Sequence, residues 1–328
     1  MRVNGPTPQG SSDPKRSSWR HSLVTRVTLV FAGMVLLSTL LAGYLAYRGS
    51  RQIMAREAQD DMRVVIEMAR QRLAGVATTL ADDISFLSSN QQVSQLTAAL
   101  DSSDTTAQMM ARNAVAQLME SFLRSRPMYA QVRLIGADSL GHEMVRFDRT
   151  VSGVMRAEEV DLQAKGDRDY YRAAMQLLAG QRYFSHIDLN KEHGAIQRPV
   201  MPTLRAAAPL FTPRGDRAGV VVINVDLRPL FAELQQLQGP KEILLLADGE
   251  GRMLMHADTA RAFRHELGGS WTLYNERGAG IVALDTVLND GARSLRFEEA
   301  GIEPLQYPYI IGVAVQQDAL LAAIARER

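Results

Sequence analysis

Asp167, Arg168, Asp169, Tyr170, Tyr171 and Arg172 form a charged and aromatic knot just ahead of the apolar residues Ala173, Ala174, Met175, Leu177 and Leu178. Such a knot is costly inside a core, because charge removed from water must be paired. The chain continues through Tyr183, Phe184, Ser185, His186, Ile187, Asp188, Leu189 and Asn190. This alternation predicts a strand with its polar members on one face of a sheet. A turn over 191–195 and a second strand over 201–211, carrying Arg205, follow. Residues 219–226, GVVVINVD, close the stretch as an apolar, β-branched run that reads as a buried strand, with the polar Asn224 and Asp226 only at its end.

Outward from this stretch toward the amino terminus lies a predicted β-hairpin, with strands over 129–135 and 142–147 and turn chemistry over 138–141. Its register brings Arg133 and Arg146 near each other, and both are read as solvated arginines on an outer face. Before the hairpin, residues 48–126 carry a long helix and a second helix. In the first, Met62, Val65, Ala69, Leu73, Val76, Leu80, Ile84 and Leu87 recur at three- and four-residue steps. That seam either packs along its own domain or forms the contact of a dimer. A polar break over 101–106 precedes the second helix, which runs through Ala111, Ala114, Leu118, Phe122 and Leu123 and ends at Pro127.

Residues 27–47 contain no charge, and a transmembrane helix over 23–47 is expected, since about 20 apolar residues cross a bilayer. A cleaved signal peptide would have a shorter apolar region. Lys15, Arg16, Arg20 and Arg26 precede the span, whereas Arg48, Arg51 and Arg56 are soon diluted by Glu57, Asp60 and Asp61. This bias places the amino terminus in the cytoplasm. Residues 1–22, rich in Gly, Pro, Ser and charge, are expected as a disordered cytoplasmic tail.

On the carboxyl-terminal side, the helical pattern over 231–240 ends at Gly239 and Pro240 and acts as a linker. A strand over 242–247, an Asp and Gly turn over 248–251 and a returning strand over 252–256 follow. Further strands are expected over 293–298 and 309–315.

Composition sets limits on the chemistry. The chain has 328 residues, room for about two domains. A formal net charge of +1 argues against nucleic-acid binding. With no cysteine, disulfides, thiolate metal sites and cysteine nucleophiles are excluded. His186, Asp188, Glu192 and His193 are metal-capable types, but no HExxH or comparable spacing supports a metal site. No GxSxG, GxxxxGKS or GxGxxG string is present, and His256 with Asp258 lacks a nucleophile, so no catalytic residue and no cofactor are expected.

The succession DRDYY, strand, hairpin, strand and GVVVINVD resembles the membrane-distal lobe of a double Cache sensor. Such regions are the extracytoplasmic ligand-binding parts of bacterial histidine kinases, chemoreceptors and diguanylate cyclases. LQAKGDRDYY, HIDLN and RPVMPTLRAAAP are most similar to the subgroup found in sensor kinases, and LLLADGEGRMLMHAD resembles the opening of the membrane-proximal lobe. The resemblance spans residues 48–317. It implies an α+β fold, in which a long amino-terminal helix, transmembrane then periplasmic, precedes two PAS-like antiparallel-sheet lobes. The distal lobe would occupy 127–230 and the proximal lobe 231–317. Residues 318–328 would be an exit helix toward a second transmembrane segment, and the chain would be a fragment or truncated product of a longer transducer. The implied setting is the inner membrane, as a homodimer.

Arginine with tyrosine suits an anion, because the guanidinium fork pairs with a carboxylate and the phenol adds a directed donor. In amino-acid-binding members of the resembled family, an Arg, a bulky aromatic and a Tyr hold the carboxylate, and an acid on the last strand holds the amine. Arg168, Tyr170 and Tyr171 match the first three, with Tyr170 where Trp is usual. His186 falls where a further Tyr is common, and Asn224 takes the place of the amine-binding acid. Asp226, two residues on, shares its face. Asp188 and Arg205 complete the candidate ligand-binding set. The amide at Asn224 lacks the charge that would offset desolvation of an ammonium group, so a plain carboxylate or another anionic or neutral metabolite stands beside an amino acid. Two alternatives remain open: Arg168 and the tyrosines cap a helix and fill the lobe, or the protein is a membrane-anchored periplasmic module for protein–protein interaction.

Overall fold

The computed structural model describes residues 23–239, 242–277, 284, 287–289 and 293–316. The tail expected over 1–22 and the exit helix expected over 318–328 lie outside the described residues. Helix α1 (Leu23–Ser89) begins with an apolar stretch, Leu23–Ser50, of mean hydropathy 2.1. It is long and apolar enough to cross a membrane, and none of it is buried within the protein.

From Gln59 the chain forms a separate compact unit. Within it, Met62, Val65, Ala69, Leu73, Leu80, Ile84 and Leu87 of α1 are buried, and Val76 is half-buried. The three- and four-residue seam therefore packs along its own domain. Asn90 breaks the helix: its side chain accepts from the Gln92 N–H and starts α2 (Gln91–Leu100). This break interrupts what the sequence reading treated as one helix. Asp104 accepts from the N–H groups of Thr106 and Ala107 and caps α3 (Thr105–Ser125).

A first antiparallel sheet follows. It comprises β1 (Tyr129–Gly136), β2 (Glu143–Thr150), β3 (Gly153–Arg156), β4 (Tyr183–Phe184), β5 (Asp188–Leu189), β8 (Pro202–Phe211) and β9 (Arg217–Asp226). Their order is β3-β2-β1-β9-β8-β4, with β5 also pairing β8. A small hairpin, β6 (Lys191–Glu192) and β7 (Ala195–Ile196), turns through His193 and Gly194, both at positive φ. Helix α4 (Asp169–Ala174) precedes β4.

Period-two alternation divides this sheet into two unlike faces. Val132, Leu134, Val145, Phe147, Leu204, Ala206, Val221, Ile223 and Val225 join α1, α2 and α3 in the main core. The other face carries Gln131, Arg133, Arg146, Asp148, Arg205 and Asn224, with Gln131 opposite Asn224 and Asp148, and Arg205 opposite Asn224. Tyr170, Tyr171 and Ala174 of α4 pack on its apolar end, against Ile135, Ala207, Val220 and Val222. Both faces are thus covered, and the polar one faces inward.

Arg133 and Arg146 are not solvated on an outer face: they are 2 % and 8 % exposed. Residues 183–190 are not one strand but β4 and β5, parted at 185–187. There the Ser185 hydroxyl accepts the Arg205 N–H at 3.0 Å, so a side chain replaces a ladder partner and the strand breaks.

Helix α5 (Arg228–Gln236) leads to a second antiparallel sheet of β10 (Glu242–Asp248), β11 (Met253–Met255), β12 (Val287–Asn289), β13 (Arg293–Ala300) and β14 (Tyr309–Gln316), in the order β11-β10-β14-β13-β12. Between β11 and β12 lie α6 (Arg264–Leu267) and α7 (Leu273–Arg277). The protein is α+β, an apolar amino-terminal helix followed by antiparallel sheets.

Candidate functional site

The inward polar face of the first sheet, α4 and the 183–191 segment enclose a cavity of about 190 Å³. That is room for about six waters at liquid density. It is below the range typical of drug-sized ligands, so the guest that fits is a small metabolite. Arg168, Tyr170, His186, Asp188 and Arg205 line it, joined by Arg133, Asp169, Tyr183, Ser185, Asn190 and Lys191.

Two guanidiniums flank the Tyr170 ring, Arg133 at 6.0 Å and Arg205 at 5.8 Å from its centroid. The Arg133 Nη1 also donates to the Tyr170 hydroxyl at 3.5 Å. Arg205 is tied to Asp188 and donates to Asn190 Oδ1 at 3.2 Å. Burial raises the Asp188 carboxyl above the usual range, with Arg205 opposing. Burial, followed by the Arg252 cation, lowers His186.

Behind the wall runs a buried charge network. Glu143 accepts from Arg133 at 2.9 Å, from Arg146 at 3.0 Å and from the Gln163 N–H at 3.0 Å. Arg146 also reaches Asp148 at 3.0 Å. Lys165, 1 % exposed, donates to Gln163 at 2.9 Å and stands 3.7 Å from Glu192. Burial and the Arg133 charge lower the Lys165 pKa, while burial of Glu192 is outweighed by Arg133 and Lys165, so its carboxyl is lowered.

The cations lining the cavity differ in what holds them. Arg133 has Glu143, Arg205 has Asp188, and Lys191 has Glu266 at 3.0 Å. Arg168 approaches only Asp167, at 3.8 Å, and that carboxylate is itself mostly exposed. Arg168 sits at the position preceding α4, but its side chain makes no capping bond. Among the described residues of the lining, it is the cation without a carboxylate at hydrogen-bond distance.

Three of the eight sequence-derived candidates do not line this cavity. Tyr171 is buried and its hydroxyl donates to the Gly136 carbonyl at 2.8 Å. Asn224 is fully buried behind the wall, donating to Gln131 at 3.2 Å and to Asn190 at 3.4 Å, while its Oδ1 has no hydrogen-bond partner among the described residues. Asp226 pairs with Arg228 at 2.6 Å at the strand end and borders a different hollow, with Gln131, Asp148 and Asn190. The shared face of Asn224 and Asp226 is real, but one side chain is inside the protein and the other at its edge. Conversely, Arg133, Asp169, Tyr183, Ser185, Asn190 and Lys191 line it without having been candidates. Arg133 had a legible signal, a charge between Val132 and Leu134 on an alternating strand.

The cavity wall touches the second sheet's side of the molecule. The His186 ring stacks on Tyr307 with centroids 3.4 Å apart, and the Tyr183 and Tyr307 hydroxyls are 3.4 Å apart. Lys191 pairs with Glu266, whose Oε1 also accepts the Leu189 N–H at 2.9 Å. Among the described residues no group of three or more His, Cys, Asp or Glu could hold a metal. His256 Nδ1 accepts the Asp258 backbone N–H, not a carboxylate contact.

A family profile described as the bacterial histidine kinase sensor domain matches residues 64–275. Among solved structures, the chain is similar to one described as the extracellular domain of a histidine kinase, at TM-score 0.57 and 18 % identity, covering 81 % of this chain and 96 % of that one. A domain of a sensory box/GGDEF family protein from Vibrio parahaemolyticus gives TM-score 0.57 and 19 % identity, over 79 % of this chain and 99 % of that one. The ligand-binding domain of the Campylobacter jejuni chemoreceptor Tlp3, in complex with L-valine, gives TM-score 0.54 and 10 % identity, over 82 % and 97 %. At these identities the likeness is one of fold. A search of curated proteins found no match.

Proposed function

This chain belongs to the bacterial histidine kinase sensor-domain family, and from that premise we propose that its first-sheet cavity binds a small carboxylate-bearing metabolite. The observation that carries the reading is Arg168, a cavity-lining guanidinium with no carboxylate at hydrogen-bond distance among the described residues. An incoming carboxylate supplies the missing partner through two parallel N–H donors. Tyr170 offers an aromatic surface beside it, and Asp188 offers an acceptor for an ammonium group if the guest is an amino acid. A protein of the same fold holds L-valine, which keeps amino acids among the candidates.

The apolar start of α1 anchors the protein in the inner membrane with its amino terminus in the cytoplasm and the sheets outside. The molecule works as a homodimer, and the guest shifts the balance between two arrangements only insofar as it binds them unequally.

The test is thermal unfolding of the full chain in detergent across a panel of small carboxylates and amino acids. A true ligand at 100 times its Kd adds about 2.7 kcal/mol, which is roughly 5–10 °C for a unit of this size. Arg168→Ala is expected to abolish the shift while leaving the unliganded midpoint close to wild type, since Arg168 holds nothing else tightly. Asp188→Asn separates the ligand classes, because amino acids lose affinity and plain carboxylates keep it. A shift that persists in Arg168→Ala sinks the assignment.

A further inference from the structure

The second sheet holds a buried carboxylate clasped from four separate places in the sequence. Glu276, on α7, is 2 % exposed. Its Oε1 meets His256 Nε2 at 3.0 Å, Arg261 Nη1 at 2.9 Å and Trp271 Nε1 at 2.8 Å, and its Oε2 meets Arg293 Nη1 at 3.3 Å. The His256 role is fixed by its other nitrogen. Nδ1 accepts the Asp258 N–H at 2.8 Å, so Nε2 carries the proton and donates to the carboxylate. Arg261 is itself held, stacked 4.6 Å over the Trp271 ring and paired with Asp258 at 3.2 Å. His256, Arg261 and Trp271 are thus positioned by contacts other than the carboxylate they serve. Such a set would recognise a carboxylate arriving from solution equally well.

We infer that the second sheet carries a carboxylate-recognition cage that the chain fills with its own Glu276, an internal ligand standing where a small monocarboxylate would otherwise bind. The cage is separate from the Arg168 cavity, and no residue is shared between them. Its occupation in cis means that an external carboxylate competes with a tethered one, and the tether sets a high effective concentration against it.

The probe is acetate, because Glu276→Ala removes a CH2–COO group that acetate replaces atom for atom. The background is the full chain carrying Arg168→Ala, so that the first-sheet cavity contributes nothing and the failure of that reading leaves this test intact. Adding Glu276→Ala in chloride is expected to lower the unfolding midpoint by on the order of 10 °C, since buried cations lose their partner. Acetate at equal ionic strength then raises that midpoint saturably. It has no such effect on Arg168→Ala alone, on the Glu276→Gln version, whose amide still fills the cage, or after further Arg261→Ala. If the Glu276→Ala chain does not fold in chloride, recovery of folded protein in acetate is the readout. Equal acetate responses with and without Glu276, or no acetate response of the Glu276→Ala chain by either readout, overturn the inference.

Discussion

Replacing Glu143 by Gln removes one negative charge from the centre of the network behind the first-sheet cavity and changes little in shape. Glu143 is 3 % exposed and takes three donors, Arg133 and the Gln163 N–H among them, with Arg146 on the same oxygen as Gln163. An amide has one acceptor oxygen. Turned toward Arg133, it sets its NH2 against Arg146 and the Gln163 N–H; turned the other way, it sets it against Arg133. Either orientation opposes donor to donor. Arg133, 2 % exposed, has as its next carboxylate among the described residues Glu192 at 4.0 Å. Stranding one member of a buried pair costs about 3–5 kcal/mol, or on the order of 10 °C in the midpoint of a unit this size. The assay is circular dichroism melting of the full chain in detergent. The control changes Arg133→Met, Glu143→Leu and Arg146→Met together, which removes the charges with their desolvation cost and is expected to lose far less than the single amide. A Glu143→Gln loss under about 1 kcal/mol, or a triple variant that falls as far as the single one, refutes the reasoning.

Other expectations concern separate parts of the molecule. Burial of Glu276 is outweighed by its hydrogen bonds from His256, Trp271 and Arg261, which hold its carboxyl at about 2 against an ordinary 4.5. Its contribution, about 3 kcal/mol, is complete above the unfolded value and disappears as pH falls from about 4.5 toward 2, an interval in which Glu276→Gln should show a flatter stability profile. Gly219 sits at φ +152, where a Cβ would lie 2.1 Å from the Ile135 carbonyl oxygen, so Gly219→Ala should cost at least about 1–3 kcal/mol by urea unfolding. Tyr307→Ala removes the stack on His186 and the contact with Tyr183; it should change the Kd of whatever carboxylate the cavity takes, measured by calorimetry, and an unchanged Kd means the two sheets are not linked there.

What the sequence disclosed depended on how local each signal is. The seam from Met62 to Leu87 and the buried run 219–226 were legible because periodicity is written in neighbouring residues. The Asn90 cap lies just past the last seam residue, Leu87, and a single capping residue gives no periodic signal of its own. Arg133 and Arg146 were set on the wrong side because alternation tells which residues share a face but not what covers that face. Only the fold brings α4 and the 183–191 segment over it. The cavity members Arg168, Tyr170, His186, Asp188 and Arg205 come together across nearly forty residues, and their meeting was anticipated from the order of motifs. Tyr171 and Asn224 departed from that picture because the next residue along a helix points about 100° away from its neighbour, and because a strand residue one layer in is covered by Asn190 and Gln131.

The short span from Tyr183 to Lys191 serves two masters, forming the wall of the hollow and gripping Tyr307 and Glu266 far along the chain. Anyone splicing this receptor to a foreign output module, or grafting its recognition half onto another scaffold, must therefore carry both halves of that grip. A cut made at the tempting seam after Asp226 would leave Tyr307 and Glu266 behind, and the wall they brace would lose its support.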